Sequence, residues 1–270
     1  MLEGGGMRGM FTCGVIDVMM EHGVEWDGIA GVSAGSNFGC NYKSRQPGRA
    51  LRYNLRFGRD PRYMGWRCLL RTGSIISGEF AYHTVPTQYD VFDGEAFAAN
   101  PMEFIVVCTE VATGRPVYYD MRSVTSESLE WLRASASMPV VSRPVRVDDG
   151  RLMLDGGISD SIPLKYMLEE RGYERCTVVL TQPRDYRKRQ APRWLGWLLR
   201  RQPAIADAMM RRHEMYNAQL DYIDRMETEG RCDVIAPAEP LKIGRLDADP
   251  GRMNAVYELG CRAGTAWLEK

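Results

Sequence analysis

Histidine is scarce in this chain, with three residues among 270, so a catalytic histidine would have to be His22, His83 or His213. The seven cysteines are odd in number, scattered and without a CxxC pair. That pattern argues against a disulfide framework or a zinc site and favours a reducing compartment. No apolar run reaches the ~18–20 residues that a membrane-spanning helix requires.

Neither sign of charge is in excess, because 35 Lys and Arg balance 35 Asp and Glu. No global field therefore draws the protein to nucleic acid, which we do not expect as a partner. The apolar share of 44% and the charged share of 26% are ordinary for a globular protein. No charged-then-apolar leader stands ahead of the glycines that begin at residue 4, and we expect a cytoplasmic protein.

Apolar runs of strand length alternate with amphipathic segments, which predicts an α/β protein with helices on both faces of a mainly parallel sheet. No repeat or linker divides the chain, so we expect one domain over residues 1–270, a three-layer α/β/α sandwich. Residues 58–95 are rich in glycine, proline and aromatics and predict a weakly regular excursion that could form one wall of a site. The predicted strands are 29–32, 104–109, 117–119, 151–154 and 177–181, and the predicted helices are 10–22, 126–136, 164–171, 204–229 and 250–268.

Three successive glycines open the stretch Gly4-Gly5-Gly6-Met7-Arg8-Gly9, which leads into a predicted helix. The stretch satisfies GxGxxG, so a dinucleotide-binding turn is one interpretation, with Glu25 or Asp27 near the offset of a ribose-binding acid. No Lys-Ser/Thr follows, which excludes a P-loop. Glycines at a helix N-terminus expose backbone N–H groups, and the same geometry can hold a transient oxyanion.

Ser33 lies between two glycines in Gly31-Val32-Ser33-Ala34-Gly35, after a short apolar stretch and before small residues. GxSxG in this setting predicts a nucleophile elbow, a sharp turn that lifts a serine hydroxyl clear of the backbone. A nucleophile and a set of free amides together favour attack on a carbonyl carbon.

The base that would activate Ser33 has few candidates. His22 fits a helix C-terminus and His213 follows two arginines on a charged helix, which favours a solvated face. Asp155 ends an apolar strand and precedes Gly156 and Gly157, a context that can aim a carboxylate. The alternative for an Asp-Gly pair is a plain hairpin turn, the role that we predict for the earlier Asp149-Gly150.

GGGMRG, GVSAG and DGG, in this order, resemble the motifs of the patatin-like phospholipase family. CTEVATGRPVYYD and RASASMPVVSRPV extend the similarity, and PLKIGRLDADPGRMNAVYELG is similar to the small bacterial branch. The resemblance implies a serine acyl hydrolase with a Ser–Asp dyad, no catalytic histidine, no metal and no cofactor. Only Met1-Leu2-Glu3 stand ahead of the glycines, so the first strand is very short or the native start lies upstream.

On this reading Ser33 attacks the carbonyl carbon of a phospholipid or related lipid ester, and Asp155 takes the hydroxyl proton. The backbone amides of Gly5, Gly6 and Met7 form the oxyanion hole. Arg8 either pairs with a carboxylate or steers an anionic head group. The residues expected to support the motifs are Gly4, Arg8, Gly9, Gly31, Gly35, Gly156 and Gly157. A catalytically weak lipid- or partner-binding member of the family, and a dinucleotide-binding protein, are the alternatives.

A basic and tryptophan-rich segment, Arg184–Arg201, carries seven basic residues against one acid, with Trp194 and Trp197 interleaved. This composition suits the interface of an anionic bilayer and predicts peripheral contact with the inner membrane surface. The alternative is that both tryptophans pack into the protein.

Overall fold

The structure, a computed structural model, describes residues 1–269. Its strands are β1 (Gly28–Val32), β2 (Glu103–Glu110), β3 (Pro116–Asp120), β4 (Val145–Arg146), β5 (Leu152–Asp155), β6 (Cys176–Val179) and β7 (Cys232–Ile235). Its α-helices are α1 (Met10–Glu21), α2 (Ala34–Lys43), α3 (Arg49–Phe57), α4 (Trp66–Thr72), α5 (Gly94–Ala99), α6 (Ser126–Ser135), α7 (Arg193–Leu198), α8 (Pro203–Thr228) and α9 (Pro250–Leu268). Short 3₁₀ turns cover Gly6–Gly9 and Gly156–Ile158, and wider π-helical turns cover Phe80–Tyr89 and Tyr166–Glu170.

The central sheet is parallel through its middle and antiparallel at one side. β1 pairs with β2 and β6 pairs with β7 in parallel, and Leu2 bridges the two pairs through Gly31 and Val179. The expected first strand is thus a single bridging residue. β3 and β5 run antiparallel to β2, and β4 extends the sheet beyond β5.

Side chains of the central strands alternate between two apolar cores, as the two-residue period of a strand requires. Phe104 and Val106 of β2 belong to a core with residues of α1, α2, α3, α6 and α9. Ile105 between them belongs to a second core with residues of α8. Helices therefore cover both faces of the sheet, which confirms the predicted three-layer α/β/α architecture.

α1 and α9 pack closely because glycines face each other across their contact. A Cβ on Gly14 would lie 2.1 Å from the Tyr257 carbonyl oxygen, and one on Gly260 would lie 2.0 Å from the Phe11 carbonyl oxygen. α9 begins as its sequence predicts, since the Asp249 side chain accepts the Arg252 amide at 2.9 Å. The last helix is thereby held against the helix that follows the glycine-rich start.

Residues 58–95 are more regular than predicted, since they contain α4 and the wide turn Phe80–Tyr89. The expectation that they form one wall of a site is confirmed below. Asp149-Gly150 forms the predicted turn between β4 and β5, with Gly150 at φ 83° and its amide bonded to the Val147 carbonyl at 2.9 Å. No helix in residues 1–269 is both long and apolar enough to cross a bilayer.

Candidate active site

Ser33 occupies the sharp turn between β1 and α2, with φ 55° and ψ −121°, a conformation that non-glycine residues rarely adopt. The turn is held from both sides: the Ser33 amide donates to Ser135 Oγ at 2.9 Å, and the Ser33 carbonyl accepts the Ser36 amide at 3.1 Å. A Cβ on Gly35 would lie 2.2 Å from the Leu2 carbonyl oxygen, so only glycine fits there. The local geometry is that of the predicted nucleophile elbow.

The pairing of strands around β2 explains why Asp155 lies beside Ser33. β3 occupies one edge of β2 over residues 105–109, so β1 and β5 share the other edge. Val32 is opposite Val107 on that edge, and Asp155 is opposite the next residue, Cys108. The chain leaves the sheet at Ser33, and β5 enters from the opposite direction to fill the vacated position. The strand register therefore brings the two predicted catalytic residues together.

The Asp155 carboxylate is buried and oriented by its own turn. Its Oδ1 accepts the Gly157 amide at 2.8 Å, and its carbonyl accepts the Thr109 hydroxyl at 2.8 Å. Gly156 passes so close to β2 that a Cβ would lie 2.2 Å from the Val107 carbonyl oxygen. Asp155-Gly156-Gly157 is thus a buried strand end beside Ser33, not the plain hairpin turn that was the alternative.

Burial raises the pKa of Asp155 above its ordinary value, and the positive charge of Arg212 is the first effect that opposes this rise. A higher pKa makes this carboxylate a better match for a hydroxyl proton, while Arg212 favours the ionised form. The Ser33 hydroxyl makes no close, well-aligned hydrogen bond within residues 1–269. Such bonds in free enzymes often tighten only when substrate binds.

The glycine loop (residues 4–9) passes directly over Ser33, since a Cβ on Gly4 would lie 2.7 Å from Ser33 Cβ. Gly6 has φ 58° and leaves no room for a side chain, because its Cβ would lie 2.3 Å from the Arg245 carbonyl oxygen. The Met7 amide donates to that same carbonyl at 3.0 Å and is not free. The amides of Gly5 and Gly6 donate to no acceptor within residues 1–269. Of the three predicted oxyanion donors, these two are open.

The other residues predicted to support the motifs surround the same turn. A Cβ on Gly9 would collide with the Phe38 ring, and a Cβ on Gly31 would collide with Ser36. The Gly157 carbonyl accepts a hydrogen bond from Arg212. Arg8 donates to the Gly5 carbonyl at 3.4 Å and lies within 4 Å of no carboxylate in the described chain. The structural interpretation of Arg8, pairing with a carboxylate, is therefore wrong.

Glu3 is a buried carboxylate that anchors the glycine loop, and it was not predicted as a site residue from the sequence. It accepts the Thr181 amide at 2.6 Å and the Tyr216 hydroxyl at 2.7 Å. The Thr181 hydroxyl also donates to the Gly4 carbonyl at 2.9 Å. These bonds tie the loop to the end of β6 and to α8.

Ser33 and Asp155 open into a cavity of about 460 Å³ whose wall is mostly apolar. Part of this wall comes from residues 58–95, as predicted. Its apolar residues include Phe38, Tyr53, Tyr63, Ile75, Val85 and Leu132. A cavity of this kind accommodates the hydrocarbon part of a ligand.

All three histidines lie outside the wall of this cavity. His22 bonds to the Val18 carbonyl at 2.9 Å at the end of α1, and His213 bonds to the Met210 carbonyl at 3.0 Å. His83 pairs with Glu130 at 2.8 Å. Each ring therefore has a local partner away from Ser33.

Three cationic residues of the cavity, Lys188, Arg212 and Arg245, were not predicted as site residues. Arg212 was noted only as a neighbour of His213, which was predicted to lie on a solvated helix face. A signal for it did exist: Met209, Arg212 and Tyr216 follow helical spacing, and the first and last of these are buried. Lys188 belongs to the basic segment that was predicted to contact a membrane, and no local pattern marks Arg245, because only the tertiary fold brings the two residues near Ser33.

The basic segment Arg184–Arg201 divides into two parts. Its first arginines pair with α8, since Arg184 lies 2.7 Å from Asp224 and Arg187 lies 3.4 Å from Asp221. Its second part contains α7, where Trp194 is 61% and Trp197 is 66% exposed. The alternative that both tryptophans pack into the protein is therefore wrong, and Trp194 also contributes to the cavity wall.

Comparison with known proteins gives relatives over the whole chain. An uncharacterized protein of Escherichia coli K12, YjjU, is 27% identical over 277 residues, covering 98% of this chain and 75% of its own. Lysophospholipase NTE1 of Cryptococcus neoformans var. neoformans is 26% identical over 296 residues, covering all of this chain. This chain spans only 17% of the length of that enzyme. VipD of Legionella pneumophila, a crystal structure, matches 99% of this chain and 66% of its own at a TM-score of 0.50 and 12% identity, a likeness in fold alone.

Two family models match the chain. Residues 202–270 match a domain of unknown function, DUF6363. Residues 1–168 match the model described as patatin-like phospholipase, and these residues contain the glycine loop, the Ser33 turn and the Asp155 turn. Since this match covers more than half of its length, the chain belongs to the patatin-like phospholipase family.

Proposed function

We propose that the protein is a serine lipid acyl hydrolase that cleaves carboxylic esters of phospholipids or related lipids. The observation that carries the proposal is the pairing of Val32 and Asp155 with consecutive residues of one β2 edge, which brings a buried carboxylate beside the Ser33 hydroxyl. Membership of the patatin-like phospholipase family and relatives named lysophospholipases support a lipid substrate.

In the proposed reaction Ser33 Oγ attacks the ester carbonyl carbon while Asp155 takes the hydroxyl proton. The carbonyl oxygen becomes an anion, which the open amides of Gly5 and Gly6 stabilise. The intermediate collapses to an acyl-serine, and Asp155 returns the proton to the departing alcohol. Water then attacks the acyl-serine with Asp155 as base, releasing the fatty acid and the free serine.

The apolar wall indicates where the acyl chain lies. Aromatic and aliphatic side chains from α2, α3 and residues 58–95 line the cavity. Burying a chain there removes hydrocarbon from water, at about 0.8 kcal/mol per methylene. We therefore infer a preference for long-chain over short-chain esters.

Peripheral contact with an anionic membrane is part of the proposal. Trp194 and Trp197 are exposed on α7, Trp194 also lines the cavity, and Arg193, Arg200 and Arg201 are close by in sequence. Exposed tryptophans beside basic residues suit the bilayer interface. We infer that the protein acts from the cytoplasm on the inner membrane surface.

A fluorophosphonate probe and a series of p-nitrophenyl esters test the chemistry. We expect a single covalent adduct on Ser33, lost in Ser33→Ala, and turnover that rises with chain length. Asp155→Asn should lower kcat/KM by about 10²–10⁴, the usual contribution of a general base. His83→Gln and His213→Gln serve as matched controls and should stay within a few-fold of the parent. A folded histidine variant as inactive as Ser33→Ala would overturn the dyad.

Co-sedimentation with anionic vesicles tests the membrane contact. Trp194→Ala combined with Trp197→Ala should weaken binding, because both indoles leave the interface. The double variant Arg184→Gln, Arg187→Gln is the control, since these arginines pair with α8. Unchanged binding after loss of both tryptophans would contradict the proposal.

A further inference from the structure

Four cationic side chains line the Ser33 cavity without a carboxylate partner: Arg8, Lys188, Arg212 and Arg245. A fifth, Arg49, is paired with Asp90 at 3.4 Å. Within residues 1–269 none of the four lies within 4 Å of an acidic oxygen, whereas surface arginines such as Arg184 and Arg211 pair with Asp224 and Asp207.

Each of the four is held by groups other than carboxylates. The Lys188 ammonium lies 4.0 Å from the centre of the Tyr216 ring. Arg8 and Arg212 donate to the carbonyls of Gly5 and Gly157. The Arg245 side chain makes no hydrogen bond within the described chain. Most of the donors of these cations therefore remain available to a ligand.

The two carboxylates of the cavity, Glu3 and Asp155, offset only part of this charge, since they are two against four cations. Glu3 is occupied by Thr181 and Tyr216, and Asp155 by the Gly157 amide. Burial, followed by repulsion from Arg212, lowers the pKa of Lys188 to about 7. The part of this shift that comes from repulsion by Arg212, Arg245 and Arg8 reflects neighbouring positive charges, which an anion would stabilise.

The cations lie where a head group would lie. Lys188, Arg212 and Arg245 are shared between the Ser33 cavity and a neighbouring cavity of about 500 Å³, which Arg187 and Arg189 also line. Many apolar residues of the wall come from α2, α3 and residues 58–95, and three of the four cations come from α8 and the segments around residues 188 and 245. An ester at Ser33 whose acyl chain packs against the apolar residues leaves the cations available to its alcohol portion.

We propose that Arg8, Lys188, Arg212 and Arg245 form a phosphate-binding subsite that selects lipid esters carrying a phosphate on the alcohol side of the scissile bond. The inference rests on the proposed hydrolysis at Ser33. Phosphate offers several charged acceptor oxygens, which guanidinium groups bind in pairs of hydrogen bonds and an ammonium binds as a point charge.

Binding to the Ser33→Ala protein tests the subsite without turnover. Calorimetric titration should detect n-hexyl phosphate with at least about tenfold higher affinity than n-hexanol, and inorganic phosphate should bind more weakly than the hexyl ester. Lys188→Gln combined with Arg245→Gln should remove most of the preference for hexyl phosphate, and Lys188→Arg should retain it. Arg115→Gln, an exposed arginine outside both cavities, is the control.

Equal binding of n-hexyl phosphate and n-hexanol, or a preference unchanged in the double variant, would overturn the subsite. Inorganic phosphate binding as tightly as hexyl phosphate would indicate a site for free phosphate and overturn its assignment to a lipid head group. Circular dichroism establishes that each variant is folded.

Turnover separates this inference from the proposed function. With the Ser33 protein, we expect kcat/KM for monooleoylglycerol phosphate to exceed that for monooleoylglycerol by about tenfold or more, and the ratio to fall in the double variant. Hydrolysis of both esters at equal rates would refute the subsite and leave the hydrolase proposal standing. No hydrolysis and no probe adduct would refute the hydrolase, while the calorimetric result would still decide whether phosphate binds.

Discussion

The strained backbone of Ser33 predicts that glycine at this position makes the protein more stable than alanine does. Ser33 has φ 55° and ψ −121°, a region that a residue with a Cβ occupies at a cost of about 1–3 kcal/mol. Glycine avoids this cost. Its greater freedom in the unfolded chain offsets about 0.5–1 kcal/mol of the gain. We expect Ser33→Gly to exceed Ser33→Ala by about 0.5–2 kcal/mol in free energy of unfolding.

Comparing two substitutions at one position isolates the backbone effect. Both variants lack the hydroxyl, and both keep the backbone bonds to Ser135 and Ser36. The side chain borders the cavity, so loss of one methyl group costs little packing. Equilibrium unfolding in urea measures the difference, and thermal melting should show about 2–4 °C for each kcal/mol. Both variants should be inactive toward esters.

At an ordinary helical position, replacing alanine with glycine should lower the stability of the protein instead of raising it. Ala218 is exposed in α8, and Ala218→Gly should lower the free energy of unfolding by about 1 kcal/mol. If Ser33→Gly is no more stable than Ser33→Ala while this control behaves as expected, Ser33 is not strained. The argument that the fold holds the hydroxyl in place against its backbone preference would then fail.

Two further predictions concern the base and the helix contact. Asp155 must be ionised to accept a proton, and the positive charge of Arg212 lowers its pKa, so Arg212→Gln should move the acid limb of kcat/KM to higher pH. Arg212→Lys keeps the positive charge and should return the acid limb to its original pH. Arg211→Gln, on the exposed side of the helix, is the control and should not move the limb. An acid limb that Arg212→Gln leaves unchanged would contradict the effect of Arg212 on the pKa of Asp155. Gly14→Ala should cost about 1–3 kcal/mol in urea unfolding, because its Cβ would lie 2.1 Å from an α9 carbonyl oxygen. Gly196→Ala, with 3.6 Å of clearance, is the control, and equal stability of the two variants would show that the helices can separate freely.

Sequence reasoning located Ser33 and Asp155 because their signals are local. A glycine on each side of Ser33 is needed for the turn itself, and the strand before Asp155 and the glycines after it fix where that carboxylate leaves the sheet. Most predicted strand and helix ends lie within two residues of those observed, since apolar periodicity and caps such as Asp249 set them. The fold class followed from the same patterns.

Features that depend on tertiary contacts were missed. Phe80–Tyr89 contains Pro86 and lacks a helical apolar stripe, so its helical turns come from packing against α6 and not from local propensity. The sequence predicted a free Met7 amide, but this amide donates a hydrogen bond to the carbonyl of Arg245, which is distant in sequence. Sequence reasoning did not predict the cluster of Arg8, Lys188, Arg212 and Arg245 for the same reason, because these residues come from four separate segments.

The segment 202–270, which matches a family of unknown function, contributes directly to the cleft of the patatin-like part. Its α8 supplies Arg212 beside Asp155, and its Arg245 carbonyl fixes the Met7 amide at the end of the glycine loop. Its α9 packs on α1, the helix into which that loop leads. Since the second segment sets the charge near Asp155 and the position of the loop, we infer that the two segments form one functional unit. The proposed chemistry of Ser33 would then take part of its head-group preference, through Arg212 and Arg245, from a segment outside the family model that contains the serine.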